Sequence, residues 1–314
     1  MENLTGGTPP VRYLPCVVPC KLYFTGAAAT KAGILRSEGK QTLSGLLVNV
    51  VVPAMILNSY QMEFSMEILR NLLAAFGLSV LAILLGTGVT VLLTARRKDS
   101  RASIFRFACI FSNAAYMGFP LISALFGAEG LLYASAYVTV FNLLLWTLGY
   151  GLVSGKASAR ELGRSLLHTP VLYAMVIGLT IYLLQLPLPS LIVQPLQLLG
   201  GMNTPLSMLI TGMLIGSGNL RAILADRQIW QLASVRMLLI PAVCMALFAL
   251  LGLLHFGTVS QVVVLLECCP AAAITSVFAV QFGHDEGFAA GSVVLTTLLS
   301  ILTLPLCALV LTSL

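Results

Sequence analysis

Phe111–Gly127 reads FSNAAYMGFPLISALFG and lies inside an apolar run long enough to cross a bilayer as a helix. A helix in lipid satisfies its own backbone, yet this one carries an amide at Asn113 and helix breakers at Gly118 and Pro120. Proline lacks a backbone donor and blocks the carbonyl one turn back, so the break leaves polar groups free. Each unsatisfied group in hydrocarbon costs several kcal/mol, so such a segment persists only against protein or a water-filled cavity. A second stretch, LLECCPAAAITSVFAVQFG at 265–283, carries the same kind of interruption, with Pro270 flanked by Cys269 and small residues. Half-helix ends at such breaks present N–H groups and partial positive charge, a setting that suits an anion.

The surrounding chain is that of a polytopic all-α membrane protein. Of 314 residues 58% are apolar and only 9% charged, against about 25% charged in soluble domains. Apolar runs predict nine helices, over 42–60, 69–95, 104–127, 130–154, 169–187, 190–217, 229–254, 259–283 and 287–313. A tenth, over 10–30, is degenerate because it contains Arg12, Pro15, Pro19 and Lys21. Residues 1–29 lack a signal-peptide pattern and read as a divergent segment or degenerate first helix.

The net charge of +6 is distributed for membrane orientation and not for nucleic acid. Lys31, Arg36 and Lys40, then Arg96, Arg97, Lys98, Arg101 and Arg106, then Lys156, Arg160 and Arg164, then Arg221, Arg227 and Arg236 fall on one side, which is therefore cytoplasmic. The seven cysteines are mostly buried in apolar runs and act as small hydrophobes, and Cys16 and Cys20 lack the partners of a zinc site. No phosphate loop, metal motif or nucleophile elbow occurs, so neither a cofactor nor an enzyme is expected.

Two pairs of segments resemble each other at one offset. FGAEGLLYASAYVTV (126–140) resembles FGHDEGFAAGSVVLT (282–296) with one inserted residue, and VVVPAMIL (50–57) resembles MNTPLSML (202–209), aligning Pro53 with Pro205. Each pairing skips five helices, an odd number, so the second copy enters the membrane upside down. The expected organisation is a first repeat over 30–154, a basic cytoplasmic loop over 155–168 and an inverted second repeat over 169–314. Such repeats place a substrate site near the bilayer middle.

The stretch SNAAYMGFPLISALFGAEG resembles the Asn-x-x-x-x-Gly-x-Pro-Leu signature of the auxin efflux carrier family of membrane transport proteins, which includes bacterial malonate-type carriers. TKAGILRSEGKQTLSGLLVNVVVPAMIL, NTPLSMLITGMLIG, SVRMLLIPAV and TTLLSILTLPL are similar to other parts of that family, so the likeness covers about 30–314. The resemblance implies two inverted five-helix repeats whose fourth and ninth helices are broken and cross at prolines. Carried over by residue, it makes Asn113, Gly118, Pro120 and Pro270 the crossover. It also implies elevator-like motion of one part against a scaffold, and a homodimer. The N-terminus departs from the family, which usually opens with a clean apolar helix.

Ten of the eleven acidic residues lie at helix ends or in loops; Glu267 does not. It sits three residues before Pro270, roughly 12 Å into its span at 1.5 Å per residue. An ionisable group there is a functional hypothesis by default, and a role in proton coupling is one reading. The others are a protonated carboxyl bonded to a neighbouring helix, or a carboxylate facing a watery vestibule.

Asn49, Asn58, Asn203 and Thr204 flank Pro53 and Pro205 and either line a substrate path, with Cys269 and Gln281, or bond across helices. Arg236 reads as a snorkelling anchor at the cytoplasmic boundary or as part of an anion's exit route. The expected function is secondary transport of a small organic anion such as a carboxylate or dicarboxylate across the plasma (inner) membrane. A passive channel or a vestigial, non-transporting membrane protein is the alternative.

Overall fold

The computed structural model describes residues 14–36, 39–97, 99–155 and 170–313. Most of the basic loop expected at 155–168 therefore lies outside the described residues. The chain folds as helices: α1 (Leu14–Lys31), α2 (Gly39–Ser59), α3 (Met66–Thr94), α4 (Ala102–Ile110), α5 (Ala114–Ser154), α6 (Pro170–Leu184) and α7 (Ser190–Gly201). They continue with α8 (Asn203–Ser217), α9 (Leu220–Ala225), α10 (Arg227–Leu250), α11 (Thr258–Glu267), α12 (Ile274–Gln281) and α13 (Glu286–Ser313). Among the described residues six helical segments are long and apolar enough to cross a membrane, taking α7 and α8 together, and α6 and α11 are shorter apolar helices. The protein is thus a helical, polytopic membrane protein.

The apolar runs expected over 104–127 and 259–283 are each interrupted. The first divides between α4 and α5, the second between α11 and α12. Helix α5 continues through 127, where Gly127 turns the chain with φ 62° and ψ −146°. A side chain resists that backbone conformation and glycine does not.

Three prolines inside helices share one local device. Pro53, Pro120 and Pro241 each follow by two residues the end of a widened π turn, at Leu47–Val51, Ala114–Gly118 and Val235–Leu239. The wider turn makes room for the pyrrolidine ring and absorbs the missing donor.

Helices α1, α2, α6, α7 and α8 pack on one another, and α3, α4, α5 and α10–α13 pack on one another. The two sets meet where α8 packs on the first turn of α5 and on α13, and where α2 and α6 pack farther along α5. Helix α1, degenerate by sequence, is held along α8 by glycines: a Cβ on Gly26 would lie 2.5 Å from the Leu209 carbonyl oxygen. A Cβ on Gly216 would lie 2.8 Å from that of Ala27, and one on Gly212 would collide with that of Tyr23. Gly212 and Gly216 are spaced as in Gly-x-x-x-Gly, the pattern that lets membrane helices approach backbone to backbone.

On the lysine- and arginine-rich side, Arg101 joins three segments. Its guanidinium donates to Asp226 and Asp285 at 2.7 Å each and lies over the Phe288 ring.

Candidate functional site

The site begins with how the two interrupted helices solve their backbone problem. Helix α4 stops at Ile110, and Phe111 is extended, with φ −96° and ψ 116°. Helix α11 stops at Glu267, leaving 268–273 between it and α12. The two breaks pair with each other as a minimal antiparallel bridge, Ser112 opposite Ala271. The Asn113 N–H donates to the Pro270 carbonyl at 2.7 Å, and the Ala272 N–H donates to that of Phe111 at 2.9 Å. The Ala271 N–H, which points away from that bridge, donates to Thr296 Oγ1 of α13 at 3.2 Å. Each break thus supplies the partners that lipid withholds from the other.

The side chains at the bridge are packed to match. Gly118 lies so close to α11 that a Cβ there would collide with Leu266 and sit 3.4 Å from Cys269 Sγ. Cys269, Pro270 and Pro120 are buried, and Cys269 donates its thiol to the Leu265 carbonyl at 3.5 Å. Asn113, Gly118, Cys269, Pro270 and Glu267 are therefore brought together, with Pro120 in the turn that follows.

Asn113 is 5% exposed and does not cap the helix that follows it; among the described residues its amide has no hydrogen-bond partner. The N–H groups of the first turn of α5 also lack intrahelical acceptors. Across the boundary between the two helix sets, α8 packs against the 114–118 turn and against α13. Its first residue, Asn203, is 2% exposed with both amide atoms unpartnered. An asparagine amide desolvated without partners costs on the order of 1–3 kcal/mol. Thr204 is half-buried and its carbonyl accepts from Ser207 Oγ at 3.1 Å. Asn49 and Gln281 are exposed and Asn58 is half-buried.

Glu267 is fully buried, and its partner is Arg236. Arg236 is not an anchor at a membrane boundary: it is 0% exposed and donates to Glu267 Oε1 at 3.0 Å. The expectation of a snorkelling side chain fails because α10 turns Arg236 inward, toward carbonyls left free by the two breaks. Tyr137 of α5 donates its hydroxyl to Glu267 Oε2 at 2.6 Å and lies 3.0 Å from Ser112 Oγ, which donates to it in turn. The hydroxyls of Ser112 and Tyr137 thus connect the bridge to the carboxylate. Tyr137 and Ser112 were invisible to sequence reading, since each looks like an ordinary helix residue. Arg236 did carry a signal, a cation inside the apolar run LASVRMLLIPAV, of the same kind that marked Glu267.

Two interrupted helices crossing inside a multi-pass helical protein, with unpaired amides beside a half-helix N-terminus, define a class: membrane transport proteins built around discontinuous helices. The chain matches the membrane transport protein family over residues 22–165 and 156–308, and it belongs to that family, the auxin efflux carrier family of transporters. It is 28% identical to an uncharacterized transporter of Methanothermobacter thermautotrophicus over 287 residues, covering 89% of this chain and 91% of the relative. It is 24% identical to an uncharacterized transporter of Methanocaldococcus jannaschii over 289 residues, covering 87% and 90%.

Proposed function

We propose that this membrane transporter is a secondary carrier for a small organic anion, a carboxylate or dicarboxylate, working in the plasma membrane. The observation that carries the reading is a pair of buried asparagines: Asn203, whose two amide atoms are unpartnered, and Asn113 beside the first turn of α5 on the facing helix, which makes no cap bond. Amide N–H donors and a helix N-terminus offer a carboxylate hydrogen bonds and favourable charge without a fixed cation.

The chain is read as two inverted five-helix repeats, one ending near 154 and the other starting near 169. Beyond the sequence matches, Gly127 and Gly283 support this reading: each follows a phenylalanine after a broken helix, and their φ values are 62° and 69°. Motion is proposed to be elevator-like, with α3–α5 and α10–α13 carrying cargo past α1, α2 and α6–α8, in a homodimer.

Glu267 is proposed as the proton-coupling group. Arg236 keeps main-chain carbonyl acceptors whether or not this carboxylate is charged, so protonating Glu267 does not strand the cation. Its hydroxyl relay leads to the bridge.

The test is uptake of radiolabelled malonate and a panel of small carboxylates into proteoliposomes holding the purified chain. A carrier accumulates its solute above the outside concentration under an imposed gradient and shows counterflow; a passive channel only equilibrates it. Asn113→Ala is expected to abolish uptake while insertion and abundance stay normal. Unchanged uptake kinetics in that variant would remove the crossover as the binding site.

A further inference from the structure

The geometry points to Arg236 as the positioning residue of the crossover: one guanidinium clamps the C-terminal ends of both interrupted helices, so the two breaks hold one register and move as one unit. The inference concerns architecture and stands whether or not the cargo is an anion.

The contacts divide evenly between the two helices. From α4, the carbonyls of Cys109 and Ile110 accept from Nη1 at 2.9 and 3.4 Å. From the end of α11, the Glu267 carbonyl accepts from Nη2 at 2.5 Å, and the Cys269 carbonyl accepts from Nε at 3.0 Å. These carbonyls belong to the last residues of α4 and α11 and the break just beyond, the positions whose acceptors an α-helix leaves unpaired. Each helix C-terminus is equivalent to roughly half a negative charge. Two of them converging on one guanidinium therefore match about one positive charge, before the Glu267 carboxylate is counted. The planar fork explains the choice of arginine, because an ammonium group is a point donor that cannot reach carbonyls on two helices in one plane.

An ordinary buried ion pair behaves differently. Where two charges serve only to neutralise each other, replacing both with apolar residues of similar volume is often neutral or stabilising. Here that replacement leaves the four carbonyls without their donor.

The experiment is hydrogen–deuterium exchange by mass spectrometry on the full chain in lipid nanodiscs. The variants are Arg236→Met, Arg236→Met/Glu267→Met, Arg236→Lys and Glu267→Gln. Peptides covering 109–114 and 267–273 report the bridge amides of Asn113 and Ala272, and peptides from 203–217 serve as the internal reference. Expected is a loss of protection of about tenfold or more at both breaks in the Met single and double variants alike, with the reference unchanged. Arg236→Lys loses protection at both breaks despite keeping its charge, and Glu267→Gln stays within about threefold of the wild type.

Wild-type protection at both breaks in the double variant would overturn the inference and reduce the pair to mutual neutralisation. Equal loss in the reference peptides would overturn it too, by making the effect general unfolding. Should the Met variants fail to accumulate, Arg236→Lys decides: wild-type protection there refutes the clamp.

Discussion

Replacing Gly118 with alanine puts a methyl group where a Leu266 methyl already lies, and 3.4 Å from Cys269 Sγ. Leu266 and Cys269 are both fully buried, so neither side chain can swing into open space. Overpacking of this kind costs about 1–3 kcal/mol. Exchanging glycine for alanine inside a helix returns about 1 kcal/mol, which leaves Gly118→Ala destabilised by about 0–2 kcal/mol. Leu266→Ala alone removes a fully buried side chain and is expected to cost about 2–5 kcal/mol. Together the two changes remove the collision, and the new methyl fills part of the vacated space. The double variant should therefore be more stable than the sum of the singles by about 1–3 kcal/mol. The assay is reversible unfolding in mixed micelles followed by tryptophan fluorescence, where Trp146 reports locally because its ring lies 5.7 Å from that of Phe278 on α12. Additivity within about 0.5 kcal/mol would refute the claim that Gly118 is small because α5 and α11 touch there.

Three further outcomes follow from the same geometry. Glu267→Gln should transport without dependence on a pH gradient; a variant that keeps the full dependence in proteoliposomes removes Glu267 as the coupling group. Gly212→Ala should cost about 1–3 kcal/mol, because its new methyl meets backbone of α1 that cannot move aside, whereas Gly77→Ala, with nothing within 4 Å, should be neutral or slightly stabilising; equal melting of the two variants contradicts the close α1–α8 contact. The Asp285 carboxyl is held below its ordinary range by the Phe288 N–H and then by the Arg101 guanidinium, against partial burial. Its contribution is therefore present above the ordinary Asp value of about 3.9 and lost as pH falls through the lower folded value. Asp285→Asn should accordingly melt below the wild type at neutral pH, with the gap closing under acid; a gap constant with pH excludes that linkage.

Local covalent chemistry was legible without coordinates. A proline without a donor in an apolar run has to break or widen its helix, so Pro120 announced a widened turn and Pro270 an interruption, wherever their partners lay. Charge density in the loops and the length of the apolar runs made the chain polytopic on equally local grounds.

What only the tertiary structure decided is which groups answer which. Nothing in a one-dimensional string says that the Arg236 guanidinium reaches carbonyls of Cys109 and Cys269, 127 and 33 positions away. Nor does it say that Tyr137 meets Glu267, that Asn203 is buried without a partner while Asn49 is exposed, or that α1 is held by glycines of α8. Periodicity constrains a helix along its own axis. Burial, pairing and the fate of each unmet polar group depend on how helices distant in the chain rotate and cross, and in lipid those crossings supply the partners that water cannot.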